Sequence, residues 1–227
     1  MMGLKGNWVK TRMLMDLWDD PKYNPEEDPL LAIAVVAIAE AVCPLSAGDE
    51  PDRYTQFVTH PGSLDDAAMV RGMRTMSGCA LTALALWRCL GIKDQTIWAA
   101  YRTSKAVSDV VSVAKAHKAW TSKIPTDVPP FAIGDCVLIA SEEHVIVVLS
   151  NPVRPGTAPG RWRFNTMQGG HADKKGKQLI EICETEATWT RNGLKIGTRT
   201  VVGLARTRLM RPKLEATLPD AWLDSAP

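Results

Sequence analysis

A continuous run of apolar and small residues, with glycine at each end, puts the strongest constraint on the fold of this chain. It extends from Gly78 to Gly91 and reads GCALTALALWRCLG. A helix that is apolar nearly all round must be buried on all sides, and a glycine just past the last apolar residue is typical of a helix C-terminus. The run therefore predicts a central helix from Cys79 to about Leu90, around which other elements pack.

Other stretches of the first half also have the features of helices. Residues 30–43 are almost wholly apolar, and they lie between Pro29, which suits a first helical position, and Pro44. In residues 107–120 the apolar side chains recur at helical spacing. A short helix is also predicted over residues 64–71. The first half of the chain is therefore predicted to be mainly helical.

The second half has the patterns of strands. β-Branched runs at residues 137–140 and 145–149 are joined by a short polar turn, which is the pattern of an antiparallel hairpin. Further strands are predicted over residues 162–167, 178–190 and 198–206, with turns at Gln168-Gly169-Gly170 and Asn192-Gly193.

Helices followed by strands predict an α+β fold, with N-terminal helices packed on an antiparallel β-sheet. With 227 residues, the chain is long enough to bury an ordinary core. Residues 61–213 are predicted to form the main domain. Residues 1–60 are predicted to be an N-terminal helical extension and residues 214–227 a C-terminal tail.

The composition argues against several classes of protein. The five cysteines are scattered and lack metal-ligand spacing, so neither a disulfide scaffold nor a zinc site is predicted. The sequence has no phosphate-binding glycine loop, so no nucleotide is expected. The net charge is only +2, which does not indicate a nucleic-acid partner. A basic stretch without acids, residues 191–213, is interpreted as the solvated faces of strands and loops.

The sequence also carries no signal for membrane insertion. The start of the chain lacks the pattern of a secretory signal peptide, and the most apolar run, residues 30–39, is too short to cross a bilayer. We therefore expect no membrane span and synthesis in the cytoplasm, with non-classical export or phage delivery if the protein acts outside the cell.

Three polar residues have the right chemistry for nucleophilic catalysis. Cys79 begins a helix, where the helix dipole favours the thiolate, and His144 leads a strand and is the candidate base. Gln168 is the candidate that orients the imidazole, with Asn165 and His171 as alternatives. Each residue also has an ordinary explanation, as a buried core cysteine, a histidine at a strand end and a turn glutamine.

Ser77 and Gly78 form the start of the Cys79 helix, where Ser77 can cap the helix or serve an oxyanion site. The other histidines, His60, His117 and His171, have no cysteine or carboxylate partner at metal-ligand spacing. They are interpreted as surface or loop residues. No metal and no cofactor is predicted.

The order of these motifs resembles that of the papain-like cysteine amidases and peptidases of the NlpC and CHAP kind. The resemblance covers roughly residues 79–203. The chain departs from the family pattern where Ala80 follows the cysteine and where an uncharged glutamine takes the third position. The matching motifs are Ser77-Gly78-Cys79, Leu90-Gly91, Gly134-Asp135, His144-Val145 and Thr166-Met167-Gln168-Gly169-Gly170.

The resemblance implies a papain-like fold and hydrolysis of an amide bond, with peptidoglycan stem peptide as the substrate. In that mechanism His144 takes the proton of Cys79, and the thiolate attacks the carbonyl carbon. Two other classes remain open. One is a catalytically inactive papain-like structural or binding protein, for example a phage-associated one; the other is an acyl transferase that uses the same Cys–His pair.

Overall fold

Apart from one two-residue strand at Leu45–Ser46, the helices precede the strands along the described part of the chain, where every pairing between strands is antiparallel. The computed structural model describes residues 29–58, 78–92, 107–124, 131–140, 144–155 and 160–210. Within these, the helices are α1 (Pro29–Val42), α2 (Pro51–Val58), α3 (Gly78–Cys89) and α4 (Val107–Ala116). The strands are β1 (Leu45–Ser46), β2 (Trp120–Thr121), β3 (Cys136–Ile139), β4 (His144–Val148), β5 (Arg161–Ala172), β6 (Gln178–Thr190), β7 (Gly193–Ile196) and β8 (Arg199–Ala205). The predicted α+β class is confirmed.

Six of the strands close into a barrel. Following the pairings from β3 through β4, β5, β6, β7 and β8 leads back to β3. Closure leaves none of these six strands as a free sheet edge. The two remaining short strands lie alongside, because β1 pairs with β6 and β2 pairs with β8.

Side chains along the barrel strands alternate between two cores, one between the barrel and the helices and the other inside the barrel. In β3, Cys136 and Leu138 pack against the helices, whereas Val137 and Ile139 point into the barrel. In β4, Val145 and Val147 likewise join the helix-facing core. Successive side chains of a strand point to opposite faces, so each of these short strands supplies both cores.

Helix α3 has the burial that its composition predicts. All of its residues except Arg88 are buried. The predicted end of the helix is also confirmed, because Gly91 adopts a φ of 74° and the Ile92 N–H donates to the Trp87 carbonyl oxygen at 3.0 Å. Helix α1 agrees with the prediction to within a residue at each end.

The predicted helix over residues 107–120 is too long. Helix α4 ends at Ala116, and Lys118 has a left-handed φ of 56°. The Ala119 N–H still donates to the Ala114 carbonyl oxygen, which closes the helix end. Trp120 is therefore in β2 rather than in the helix. The helix end had no signal in the sequence because a lysine takes the position at which glycine is usual.

The predicted turn at Gln168-Gly169-Gly170 is also wrong. Strand β5 continues without a break to Ala172, and its pairing with β6 shifts by one residue between Gly169 and His171. Gly170, which has a φ of 89°, lies at this bulge. A glycine within a strand often marks a bulge or a close backbone approach rather than a turn.

Gly169 is the point of closest approach between helix α3 and the barrel. A Cβ atom built on Gly169 would lie 2.2 Å from Thr82 Oγ1 and 2.5 Å from the Gly78 carbonyl oxygen. Neither distance is compatible with a side chain at residue 169. Glycine is therefore required there if the start of α3 is to rest on β5.

The predicted hairpin of β3 and β4 is confirmed, and β6 has the predicted bounds. Strands β1 and β7 and helix α2 are not predicted. Helices α1 and α2 share the helix-facing core with α3. Three predictions lie outside the described residues: the domain boundary near residue 60, the helix over residues 64–71 and the C-terminal tail.

We expect Gly169→Ala to lower the free energy of unfolding by about 1–3 kcal/mol or more, because a methyl group would overlap Thr82 and the backbone of Gly78. Urea unfolding monitored by circular dichroism measures the change. Gly176→Asn is the control, because Gly176 has nothing within 4 Å of a built Cβ and asparagine tolerates its positive φ. An unchanged midpoint for Gly169→Ala would contradict the close packing of α3 on β5.

Candidate active site

Cys79 is the second residue of helix α3, and the start of that helix is tied to the barrel. The Gly78 N–H donates to Gln178 Oε1 at 3.0 Å, and Gln178 is the first residue of β6. The Cys79 side chain is only 2% exposed. A thiol in the first turn of a helix lies near the positive end of the helix dipole, which stabilises its thiolate.

Tyr54 of helix α2 lies beside Cys79 and is a candidate site residue that the sequence does not reveal. Burial, and then the neighbouring Cys79, raise the pKa of the Tyr54 phenol above its ordinary value. The phenol therefore stays protonated and can donate a hydrogen bond. In the described part of the chain its hydroxyl is buried and has no hydrogen-bond partner.

The structure brings His144 and Gln168 together. His144 Nε2 lies 3.4 Å from Gln168 Oε1. The amide nitrogen of Gln168 is already engaged, because it donates to Thr166 Oγ1 at 2.7 Å and to Thr185 Oγ1 at 3.1 Å. The carbonyl oxygen of Gln168 therefore faces the histidine. Since that oxygen can only accept a hydrogen bond, His144 donates to it through Nε2 in this arrangement.

The end of strand β5 meets the start of helix α3. The Gly170 nitrogen lies 3.0 Å from the position of a Cβ built on Gly78. Strand β4 pairs with β5 at Val147–Met167 and Val148–Thr166. The start of the Cys79 helix and the end of β5 thus meet at one end of the barrel, and His144 reaches the same strand through its contact with Gln168.

The other predicted site residues have different surroundings. Alternation along β5 puts Asn165, which is exposed, on the opposite face from Gln168. The His171 ring stacks on that of His144, with a centroid distance of 6.4 Å. Ser77 lies outside the described residues.

His171 is interpreted from the sequence as a surface or loop residue with no cysteine or carboxylate partner at metal-ligand spacing. Its side chain is 39% exposed, but the loop assignment and the lack of partners are wrong. It lies in β5, and its Nδ1 is 2.6 Å from Glu181 Oε1. Cys183 is also close. The pairing of β5 with β6 brings these residues together, and local sequence spacing cannot reveal such a cross-strand group.

The Gly134-Asp135 motif has a structural role. Asp135 is 1% exposed, accepts a hydrogen bond from the Ala132 N–H at 3.0 Å, and forms an ion pair with Arg206 Nη1 at 2.7 Å. Arg206 belongs to the basic stretch that the sequence predicts to be solvated, but its side chain is only 15% exposed. That prediction is therefore wrong for Arg206.

The chain matches no protein-family model, and no curated protein or solved structure is significantly similar to it. Among the described residues, no helix combines the length and apolarity needed to cross a membrane. The geometry of the site and the motifs in the sequence are therefore the basis for assigning a function.

We expect Asp135→Asn to lower the free energy of unfolding by about 3–5 kcal/mol, because it removes one charge of a largely buried ion pair. Chemical denaturation measures this change. Glu184→Gln is the matched control, since its ion pair with Arg163 is exposed and contributes about 0–1 kcal/mol. Equal destabilisation by the two substitutions would show that burial of the Asp135–Arg206 pair has no special effect.

Proposed function

We propose that the protein is a papain-like cysteine amidase or peptidase of the NlpC and CHAP kind. Cys79 is the nucleophile, His144 the general base, and Gln168 the residue that orients the imidazole. The observation that carries the proposal is the 3.4 Å contact between His144 Nε2 and Gln168 Oε1, at the end of the barrel on which the start of the Cys79 helix packs.

The chemistry follows from these assignments. His144 Nδ1 takes the thiol proton of Cys79, and the thiolate attacks the carbonyl carbon of the scissile amide. The backbone N–H of Cys79 and the Tyr54 hydroxyl stabilise the oxyanion that forms. His144 then protonates the leaving amine, and water hydrolyses the thioester. Gln168 holds the imidazole throughout, and the two threonine hydroxyls hold Gln168.

The substrate class comes from the resemblance alone. The resemblance implies that the protein hydrolyses an amide bond in peptidoglycan stem peptide. The acyl group of such a substrate has to reach a thiol that is 2% exposed. Binding of the substrate is therefore coupled to a rearrangement that uncovers Cys79.

The burial of Cys79 also supports a second candidate function, a catalytically inactive papain-like protein with a structural or binding role. A core cysteine with this exposure needs no catalytic explanation. The two candidates differ in the reactivity of one thiol, so measuring that reactivity separates them.

We expect iodoacetamide to label Cys79 at least about 10-fold faster than Cys89 or Cys136 at about pH 6, in the native protein. Burial raises the pKa of both comparison thiols, so few of them are thiolates at that pH. Peptide mass spectrometry over about pH 5–9 gives the rates. His144→Ala should remove the advantage of Cys79. If Cys79 labels as slowly as Cys89, the inactive protein is the correct interpretation.

We expect Tyr54→Phe to lower kcat for hydrolysis of stem peptides by about 100-fold, since it removes one donor to the oxyanion. The free energy of unfolding should change by less than about 1 kcal/mol, because the hydroxyl has no hydrogen-bond partner among the described residues. Steady-state kinetics and urea unfolding of the same preparation measure the two effects. Unchanged kcat with unchanged stability would exclude Tyr54 from the oxyanion site.

A further inference from the structure

Strands β5 and β6 bring three potential metal ligands together outside the proposed catalytic residues. One nitrogen of His171, one carboxylate oxygen of Glu181 and the Cys183 sulfur all lie within 4.8 Å of one another. His171 Nδ1 is 2.6 Å from Glu181 Oε1, and the Cys183 thiol is hydrogen-bonded to Glu181. The three side chains thus already converge on one point.

The bulge at Gly170 is the reason that they converge. Before the bulge, Gln168 pairs with Glu181; after it, His171 pairs with Leu179. Directly paired residues share a face, and Leu179 and Glu181 are two apart on β6, so His171 points to the same side as Glu181. Without the extra residue, His171 would point to the opposite side.

The donor set matches the preferences of one group of metals. Imidazole nitrogen, thiolate sulfur and carboxylate oxygen are the three ligand types that bind Zn²⁺ in proteins, at about 2.0–2.3 Å. In a tetrahedral site of that size, ligand atoms lie roughly 3.3–3.8 Å apart. To reach this geometry, the 2.6 Å contact between His171 and Glu181 would lengthen, and the other separations, which are at most 4.8 Å, would shorten by up to about 1 Å. Mg²⁺ and Ca²⁺, which prefer oxygen ligands, do not suit the set.

A metal ion can reach the group from solvent. The side chains of His171 and Glu181 are 39% and 36% exposed, and Cys183 is partly buried. Cys43, which follows α1, lies next to the group, where burial followed by the charges of Cys183 and Glu181 raises the pKa of its thiol to about 12. The Cys43 thiol therefore stays protonated, and the fourth position of a tetrahedral site is left to water.

We propose that His171, Glu181 and Cys183 form a binding site for a divalent transition metal of the Zn²⁺ type. The site goes beyond the proposed hydrolase function, because it uses none of Cys79, His144 and Gln168. Binding displaces the thiol proton of Cys183, so affinity falls as the pH is lowered. The bound metal would link β5 to β6 beside the position of Gln168.

Titration of the purified full-length chain with Co²⁺ tests the proposal without any assay of hydrolysis. We expect a thiolate-to-cobalt charge-transfer band that saturates at about one equivalent and is lost when Zn²⁺ is added. Cys183→Ser should abolish the band. His171→Ala and Glu181→Gln should each weaken binding by at least about 10-fold.

Two variants serve as matched controls. Cys89→Ala removes a thiol buried in α3, and Glu184→Gln removes a carboxylate three residues from Glu181 on the same strand; both should leave the band and the affinity unchanged. Circular dichroism checks that every variant is folded. If Cys183→Ser does not fold, Glu181→Gln still tests the site. The absence of a band in the unaltered protein, or its persistence in folded Cys183→Ser, would overturn the proposal.

Discussion

The contact between helix α3 and strand β5 at Gly169 is the constraint on which the site depends. With no side chain at residue 169, the Gly78 carbonyl and Thr82 rest directly on the strand. This packing fixes the position of the start of α3 relative to the barrel, where the Gly78 N–H donates to Gln178 Oε1. The packing of α3 on β5 thus brings Cys79 to one end of the sheet.

A second constraint fixes the direction of the Gln168 amide. An amide can turn over and exchange its oxygen and nitrogen, and only its neighbours decide between the two orientations. Here the hydroxyls of Thr166 and Thr185 accept from the nitrogen, and the oxygen is left for His144. A neutral side chain can in this way impose one tautomer on an imidazole, a task for which many enzymes use a carboxylate. The orientation depends on two buried threonines of the barrel.

The sequence predicts those parts of the fold that depend on local signals. Helix α3 has a composition that only burial explains, and Gly91 marks its end. Errors occur where a distant element decides the structure. Taken alone, the Gly169-Gly170 pair predicts a turn. The packing of α3 on β5 explains why glycine is needed within this strand. The end of α4 at Lys118 has no glycine to mark it. At the site, the order of Cys79, His144 and Gln168 was visible, whereas Tyr54 and the partners of His171 were not, because their proximity arises from tertiary packing and strand register.

The closed barrel has a consequence for how the chain acquires its structure. Ring closure joins β3 to β8, the last strand in the described part of the chain, and the buried Asp135 pairs with Arg206, just beyond that strand. Contacts between such distant segments form slowly, because the intervening chain must first be ordered. During synthesis, the early strands and helices have to wait, with apolar surface exposed, until the segment around residue 206 leaves the ribosome. The barrel therefore closes only after the segment around residue 206 has been synthesised.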